Sequence, residues 1–475
     1  MSKQDPQRTG FGGLMQTIPP ESLSAFHEKV LELVSTVGIQ VDHEQMLRRL
    51  ADFQGVRISG HTVTFNPDLV DRHVFRIAFD LPAYYGGSDF LLITGNMNPT
   101  IKDLQTGIAR QATTRDLVEA TKLEDSLGIT GTAAVSVSDV PKHMVEVTLH
   151  KILWENSRFK GNDIFEHNSR STIPGCRYIH EMAQVMNKRF TVGLWFESPR
   201  RFNHRELEVV YHYLDTDVPL WVGSFPMYGV TAPVYIESGM AQSAAELFAG
   251  YLMLRLLHGD APVYIQVIDS IMGHPVNWRF ANVVYSTIED MLKTVYQISL
   301  NNFYNIPLVG VSVLSNGKEE DCQQGFEKGV HTLIAALLGA RAFRTAGLLA
   351  QDMLYSPVQL VLDHEMLRFI QTLLAKRAFD PSRILVGEIA GVAPGGTFLE
   401  GALTLENFRR EYSEFPLFDS APGGQGAESL TRRALDVVRD RIARHEYHIP
   451  GDRQRELDRI YSQALHDRQL IDAYA

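Results

Sequence analysis

Aromatic rings, imidazoles and amides recur at one kind of place in this chain: just after short apolar runs. His167 follows the run 159–165, beside Phe165, Glu166 and Asn168. Trp195, Phe196 and Glu197 close the next run; Phe225 and Tyr228 close the one after. Gln266, Asp269 and His274 come next, then Ser312, Ser315 and Asn316. Glu388 and the turn Pro394-Gly395-Gly396 complete the series. The face of an aromatic ring is electrostatically negative, so several rings converging on one space suit a small quaternary ammonium ion. Any one of these residues is equally compatible with a core or loop role. The signal is the set.

Other chemistries lack their residues. There is no HExxH, no CxxC pair and no compact His and Cys cluster, so no protein-ligated metal is expected. A GxSxG nucleophile elbow and a phosphate-binding Walker loop are missing too. Gly423-Gly424-Gln425-Gly426 has no strand before it. Glu197 and Glu388 could form a carboxylate pair for glycoside hydrolysis, but sequence supplies no separation for them. The DxHxxG pattern that would ligate a corrinoid cobalt is absent.

The elements that would position these residues follow a regular rhythm from about residue 115. Helical stretches alternate with the apolar runs 129–137, 159–165, 190–196, 220–225, 262–268, 307–314, 342–347 and 384–390. Short apolar strands alternating with helices imply a parallel sheet covered on both faces, and eight units imply a (β/α)8 TIM barrel. The run 342–347, AFRTAG, is the weakest of the eight, which leaves an open doubly wound sheet as the alternative. In a barrel, the site lies at the C-terminal ends of the strands, where the aromatics gather. The expected organisation is a flexible arm at 1–18, a mixed α/β extension at 19–112, the barrel at 113–400 and a charged helical appendage at 401–475.

One βα unit stands out. VPLWVGSF (218–225) leads through a loop with Pro226, Gly229, Thr231 and Pro233 into a helix dense in Ala and Gly. Such a helix packs closely on a sheet. Glu246 inside it is either an exposed acid or a buried one that needs partners.

The 475 residues are 44% hydrophobic and 21% charged, a globular balance. The net charge of −11 argues against a nucleic-acid or anionic-membrane surface. Two distant cysteines, Cys176 and Cys322, make no disulfide framework and fit a reducing cytoplasm. No signal-peptide core and no apolar run of membrane-spanning length occurs, so a cytoplasmic protein is expected.

Several segments together resemble the trimethylamine methyltransferase family, in the branch without pyrrolysine that includes betaine:corrinoid methyltransferases. They are Gly229-Val230-Thr231-Ala232-Pro233-Val234 with Ala245-Glu246; the Asp321, Gln323, Gly325 and Glu327 pattern in 319–340; and LVLDHEM (360–366) followed by GVAPGGTFLEGALTLENFR (391–409). Val-Gly-Ile-Gln-Val at 37–41 also fits, and the likeness spans most of 20–440. Val230 and Tyr235 are bulkier than the family's usual Ala and Thr.

The resemblance implies a (β/α)8 barrel that passes a methyl group from a methylated amine to the cobalt of a corrinoid, a cobalamin-type cofactor carried by a partner protein. Standard residues throughout point to a quaternary amine such as glycine betaine. Cobalt(I) is then the nucleophile, and no catalytic residue of the chain is required. Substrate contacts are expected from His167, Trp195, Phe196, Glu197, Phe225, Tyr228, Gln266 and His274. A corrinoid-facing loop is expected at Gly229, Thr231, Ser312 and Ser315. His167, Arg200, His204 and His274 are the candidate donors to a betaine carboxylate. A homo-oligomer is left open. A barrel that only binds a small cationic or methylated ligand, or does other chemistry, is the alternative.

Overall fold

The computed structural model describes residues 18–77, 90–161, 172–266, 270–306, 310–375, 379–418 and 428–474. His167, Asp269 and the expected arm up to residue 17 lie outside them. The fold is mixed α/β.

Among the described residues, the main parallel strands form two arcs. One contains Val192–Glu197, Leu220–Gly223 and Val263–Ile265, in that order across the sheet. Leu220 stands opposite Val192 on one side and Val263 on the other. These strands read as continuous apolar runs because both faces are covered, and Leu220, Trp221 and Val222 are fully buried. The second arc runs Gly310–Ser312, Ala342–Arg344, Leu91–Thr94 and Thr130–Gly131, all parallel.

The second arc changes two expectations. AFRTAG, the weakest strand in the sequence, is a central one: Ala342–Arg344 pairs on both sides, and Ala342 and Phe343 are fully buried. Its second neighbour is Leu91–Thr94, within the stretch assigned to the N-terminal extension. The run 384–390 is no strand. Val386–Ala390 is a short helix with no buried residue. Both edges of Ala342–Arg344 are already occupied, so no position beside it is open to a strand from 384–390.

The N-terminal part packs on the first arc. Helix Pro20–Glu32 runs into a π turn, Leu33–Val37, and stops at Gly38, whose φ of 67° favours glycine. Strands Ile39–Gln40, Thr62–Phe65 and Val56–Ser59 pair antiparallel, and Gln40 joins the main sheet through Arg201. At the other end, helices Leu430–Ala443 and Gly451–His466 return to the body. The first packs on Pro357–Leu374 and Thr114–Ser126, the second on Ile173–Met186 and Val145–Asn156. No helix among the described residues is long and apolar enough to cross a membrane.

Helix Ile236–Leu257 is buried on almost every side. Its small residues are what allow this. A Cβ on Gly250 would stand 2.8 Å from Val222 and 2.9 Å from Phe196. Glu246 is fully buried and its carboxylate accepts four hydrogen bonds: from Ser198 Oγ at 2.7 Å, Arg200 N at 2.9 Å, Ser224 Oγ at 2.6 Å and Gln242 Nε2 at 2.9 Å. Burial pushes its acidity below that of a free carboxyl, and these donors oppose the shift.

Candidate functional site

A cavity of about 330 Å³ opens where the two arcs end, within the size range of small-molecule sites. The C-terminal ends of six strands reach it. Trp195 and Phe196 come from one, Phe225 follows the next, and Gln266 follows the third. Ser312, then Arg344 and Thr345, come from the second arc, with Asn96 and Met97 just past Leu91–Thr94. Met272, His274, Tyr285, Leu314 and Asp352 complete the wall. A larger groove of about 1140 Å³ lies between helix Pro20–Glu32 and helix Ile236–Leu257. It is away from the strand ends and lined mainly by helix sides, so the smaller cavity is the candidate site.

Glycine at 223 sets the floor. A Cβ there would stand 2.8 Å from the Trp195 ring and 2.9 Å from Gln266 Oε1. Both side chains occupy their places because position 223 has none. Gln266 is buried, and Oε1 has no hydrogen-bond partner among the described residues.

His274 is fixed by backbone pairing. Its N–H donates to the Pro226 carbonyl at 2.8 Å and its carbonyl accepts from Tyr228 N at 2.9 Å. The imidazole stacks on Phe225, centroids 3.7 Å apart, and meets the Tyr285 ring edge-on at 5.8 Å. Neither ring nitrogen has a partner among the described residues. Burial first, and then the Lys293 ammonium, lower its pKa to about 3, so the ring is neutral at pH 7. Lys293 itself pairs with Asp290 at 2.7 Å.

Opposite charges face the space. Asp352 Oδ2 accepts from Asn96 Nδ2 at 3.3 Å and from the Tyr285 hydroxyl at 3.5 Å. Arg344 is half-buried at the end of its strand. The chain between them is held in an uncommon conformation: Thr345, Ala350 and Gln351 have φ of 64°, 51° and 70°. Left-handed backbone at a β-branched residue is strained, and here it sits in the cavity wall. Bonds from Ala350 N to Gly317 O at 2.7 Å and from Gln351 N to Ser315 O at 3.0 Å hold the turn in place.

Of the residues expected from sequence, Trp195, Phe196, Phe225, Gln266, His274 and Ser312 meet in this cavity. Others do not. Glu197 is exposed, taking Arg201 at 2.7 Å and Asn203 at 3.0 Å, and these bonds lower its pKa. Tyr228 is buried behind the wall, and burial raises its pKa. Its ring packs where Gly239 and Gly273 leave room. Gly229 lies under Trp278, whose ring would be 1.9 Å from a Cβ. Thr231 Oγ1 accepts from Met227 N at 2.8 Å, a staple within the loop. Ser315 is buried and donates to Gln324 Oε1. Arg200 and His204 are on the outer surface near the N-terminal strands, where His204 Nδ1 is 2.9 Å from the Asp42 carbonyl.

Sequence reasoning missed Asn96, Tyr285, Arg344 and Asp352. An arginine ending the apolar run AFR was a signal for one of them. Among the described residues no group of three or more His, Cys, Asp or Glu could hold a metal ion.

The family model for trimethylamine methyltransferase (MTTB) matches residues 3–464. The chain belongs to this family. It is therefore a methyltransferase. It is 20% identical over 410 residues to glycine betaine methyltransferase of Desulfitobacterium hafniense (strain Y51), covering 82% of this chain and 84% of that protein. It is 23% identical over 480 residues to L-carnitine:corrinoid methyltransferase of Eubacterium limosum, covering 95% of each. Trimethylamine methyltransferase MttB2 of Methanosarcina mazei is 25% identical over 262 residues, covering 54% of this chain and 52% of that protein.

Proposed function

We propose that this methyltransferase takes its methyl group from a small quaternary amine that also carries a carboxylate, and delivers it to the cobalt of a corrinoid held by a separate protein. One observation carries the substrate class: the cavity combines aromatic faces with one carboxylate and one guanidinium, Asp352 and Arg344. The rings of Trp195, Phe225 and Tyr285 with Asp352 favour the ammonium head, and Arg344 favours the carboxylate. The names of the betaine and carnitine relatives agree with a zwitterion of this kind.

The chemistry asks little of the chain beyond placement. A quaternary nitrogen is already positive, so its methyl group is activated and the tertiary amine leaves without a proton. The corrinoid cobalt supplies the nucleophile. The chain's residues bind the zwitterion, turn one methyl group toward the cavity mouth and exclude water. A neutral His274 suits this role because it adds no positive charge beside the ammonium. Of the residues expected at the mouth, Ser312 is the one that lines this cavity.

The same reading joins the two arcs into one closed (β/α)8 barrel. Its first strand would be Leu91–Thr94 and its last Ala342–Arg344. The third would lie near Phe159, whose carbonyl accepts from Thr130 Oγ1 at 3.0 Å. The N-terminal extension would then end before residue 90, and 379 onward would be appendage.

The test mixes the pure protein with a cobalt(I) corrinoid carrier and a panel of quaternary amines with and without a carboxylate. Loss of the cobalt(I) absorbance with a carboxylated substrate is expected. Arg344→Met should raise KM for it roughly 10–100-fold, the range expected for one lost charged hydrogen bond, with little change for choline-like amines. No conversion with any substrate, using a carrier that accepts methyl from another enzyme, would sink the activity and leave a ligand-binding barrel.

A further inference from the structure

The segment 379–412 carries the sequence motif GVAPGGTFLEGALTLENFR, and nothing in the methyl-transfer site uses it. None of its residues is buried. Eleven large apolar side chains stand exposed along it, among them Phe379, Val386, Leu399, Leu405 and Tyr412. At roughly 150 Å² for each, the lower end of the aromatic range, scaled by exposure, they present on the order of 1,000 Å² of mainly apolar surface. A monomeric protein rarely leaves a patch beyond about 300–600 Å² uncovered, and a stable interface needs about 800 Å² from each partner.

This segment is a built element, not a loose tail. Arg383 pairs with Glu411 at 2.7 Å, tying its two ends together. Helices Val386–Ala390 and Ala402–Glu411 lie between them, with a tight turn at Gly395 and Gly396. It leaves the body after helix Pro357–Leu374 and rejoins it at once beyond residue 412. Phe415 packs on Phe369 with centroids 4.9 Å apart. Leu417 is buried, and its carbonyl accepts from Arg433 Nη2 at 2.7 Å. The chain thus projects an ordered arm whose root is anchored and whose large apolar side chains are exposed.

We propose that this arm packs against a second copy of the chain. The area singles out the occupant. So much apolar surface must be covered at all times, whereas a carrier protein that comes and goes would bare it on every cycle. A second copy is present wherever the first is, and reciprocal exchange of two arms would bury twice the area around a two-fold axis. Interfaces between permanent copies are the more apolar kind. The inference is independent of the substrate reading, since it uses no residue of the cavity.

Sedimentation of the full chain from about 1 to 20 μM is the test, a range in which interfaces of this size stay closed. A dimer or larger closed assembly is expected. The double variant Leu399→Asp/Leu405→Asp should associate at least tenfold more weakly while keeping the wild-type circular dichroism spectrum. Hydrogen exchange on the wild type supplies a check that needs no variant: amides of Ala402–Glu411 should be strongly protected in the assembly. A wild-type monomer across the range would overturn the proposal. So would a double variant that assembles unchanged, or an arm that exchanges freely inside an assembled wild type.

Discussion

Two ion pairs buried in the layer between strands and helices contrast with the polar groups around the strand-end cavity. In the first, each charge has an opposite charge beside it. Lys160 and Glu124, neither exposed at all, pair at 3.0 Å, and Lys160 Nζ also reaches Thr94 Oγ1 and the carbonyls of Thr130 and Thr132. Lys328 pairs with Asp363 at 2.7 Å, and Asp363 also accepts from Gln359 Nε2 and Gly347 N, both at 2.7 Å. Around the cavity, Gln266 Oε1 and both nitrogens of His274 have no partner among the described residues. Folding alone favours the first arrangement, because an unmet buried polar group costs about 1–3 kcal/mol. The second makes sense where an incoming molecule supplies the missing contacts.

The contrast can be broken most forcefully at Lys328. Lys328→Met would leave Asp363 buried without its cation, and about 3–5 kcal/mol of stability should disappear in urea unfolding. The folded fraction should still bind substrate, because the pair lies outside the cavity. Loss of binding with unchanged stability would reverse the assignment of the two regions.

Gly223→Ala probes the cavity side. The added methyl would press on Trp195 and Gln266 together. A fall of roughly 10–100-fold in kcat/KM, about 1.4–2.7 kcal/mol, is expected. An unaffected enzyme would mean that the floor of the cavity plays no part in binding.

His274 gives the contrast a pH dependence. Its pKa is about 3 in the folded chain and near 6.5 when unfolded, so the unfolded chain takes up the proton first. The stability that goes with a neutral His274 is complete above about pH 6.5 and is lost as pH falls toward 3. At pH 5 the loss amounts to about 2 kcal/mol. In His274→Gln the drop in unfolding free energy between pH 7 and pH 5 should be smaller by that amount. An identical drop in both proteins would place the acid sensitivity elsewhere.

The gentlest perturbation of the fold should be Gln266→Leu. Removing an unpartnered oxygen from a buried position is expected to shift stability by less than about 1 kcal/mol, in either direction, by thermal unfolding. A loss of several kcal/mol would mean that Gln266 is held by partners within the fold.

How far the sequence was legible depends on how local each signal was. Val192–Glu197 and Leu220–Gly223 were readable because their neighbours along the chain are also their neighbours in the sheet. The strand Leu91–Thr94 was readable in DFLLITG, but its place in the sheet was not, because it pairs with Ala342–Arg344, some 250 residues away, and nothing nearby announces that pairing. The run 384–390 is apolar enough to read as a strand, yet Val386–Ala390 is a helix. The site followed the same rule. Phe225, Gln266 and His274 end or closely follow strands that were found. Asn96 follows Leu91–Thr94, whose partner lies far along the chain. Asp352 follows left-handed backbone at Thr345, Ala350 and Gln351, three residues whose types do not announce that conformation.

The carboxylate of Glu246 has a consequence for anyone recombining these proteins. It fastens the chain after Val192–Glu197 at Ser198 and Arg200, the end of Leu220–Gly223 at Ser224, and, through Gln242, the Thr231 carbonyl of the loop that leads from that strand into helix Ile236–Leu257. The loop 226–235 is therefore not a removable module. A graft from a relative would have to carry Ser198, Ser224, Gln242 and Glu246 as one cassette, because a transplanted loop without them arrives with nothing to clip onto.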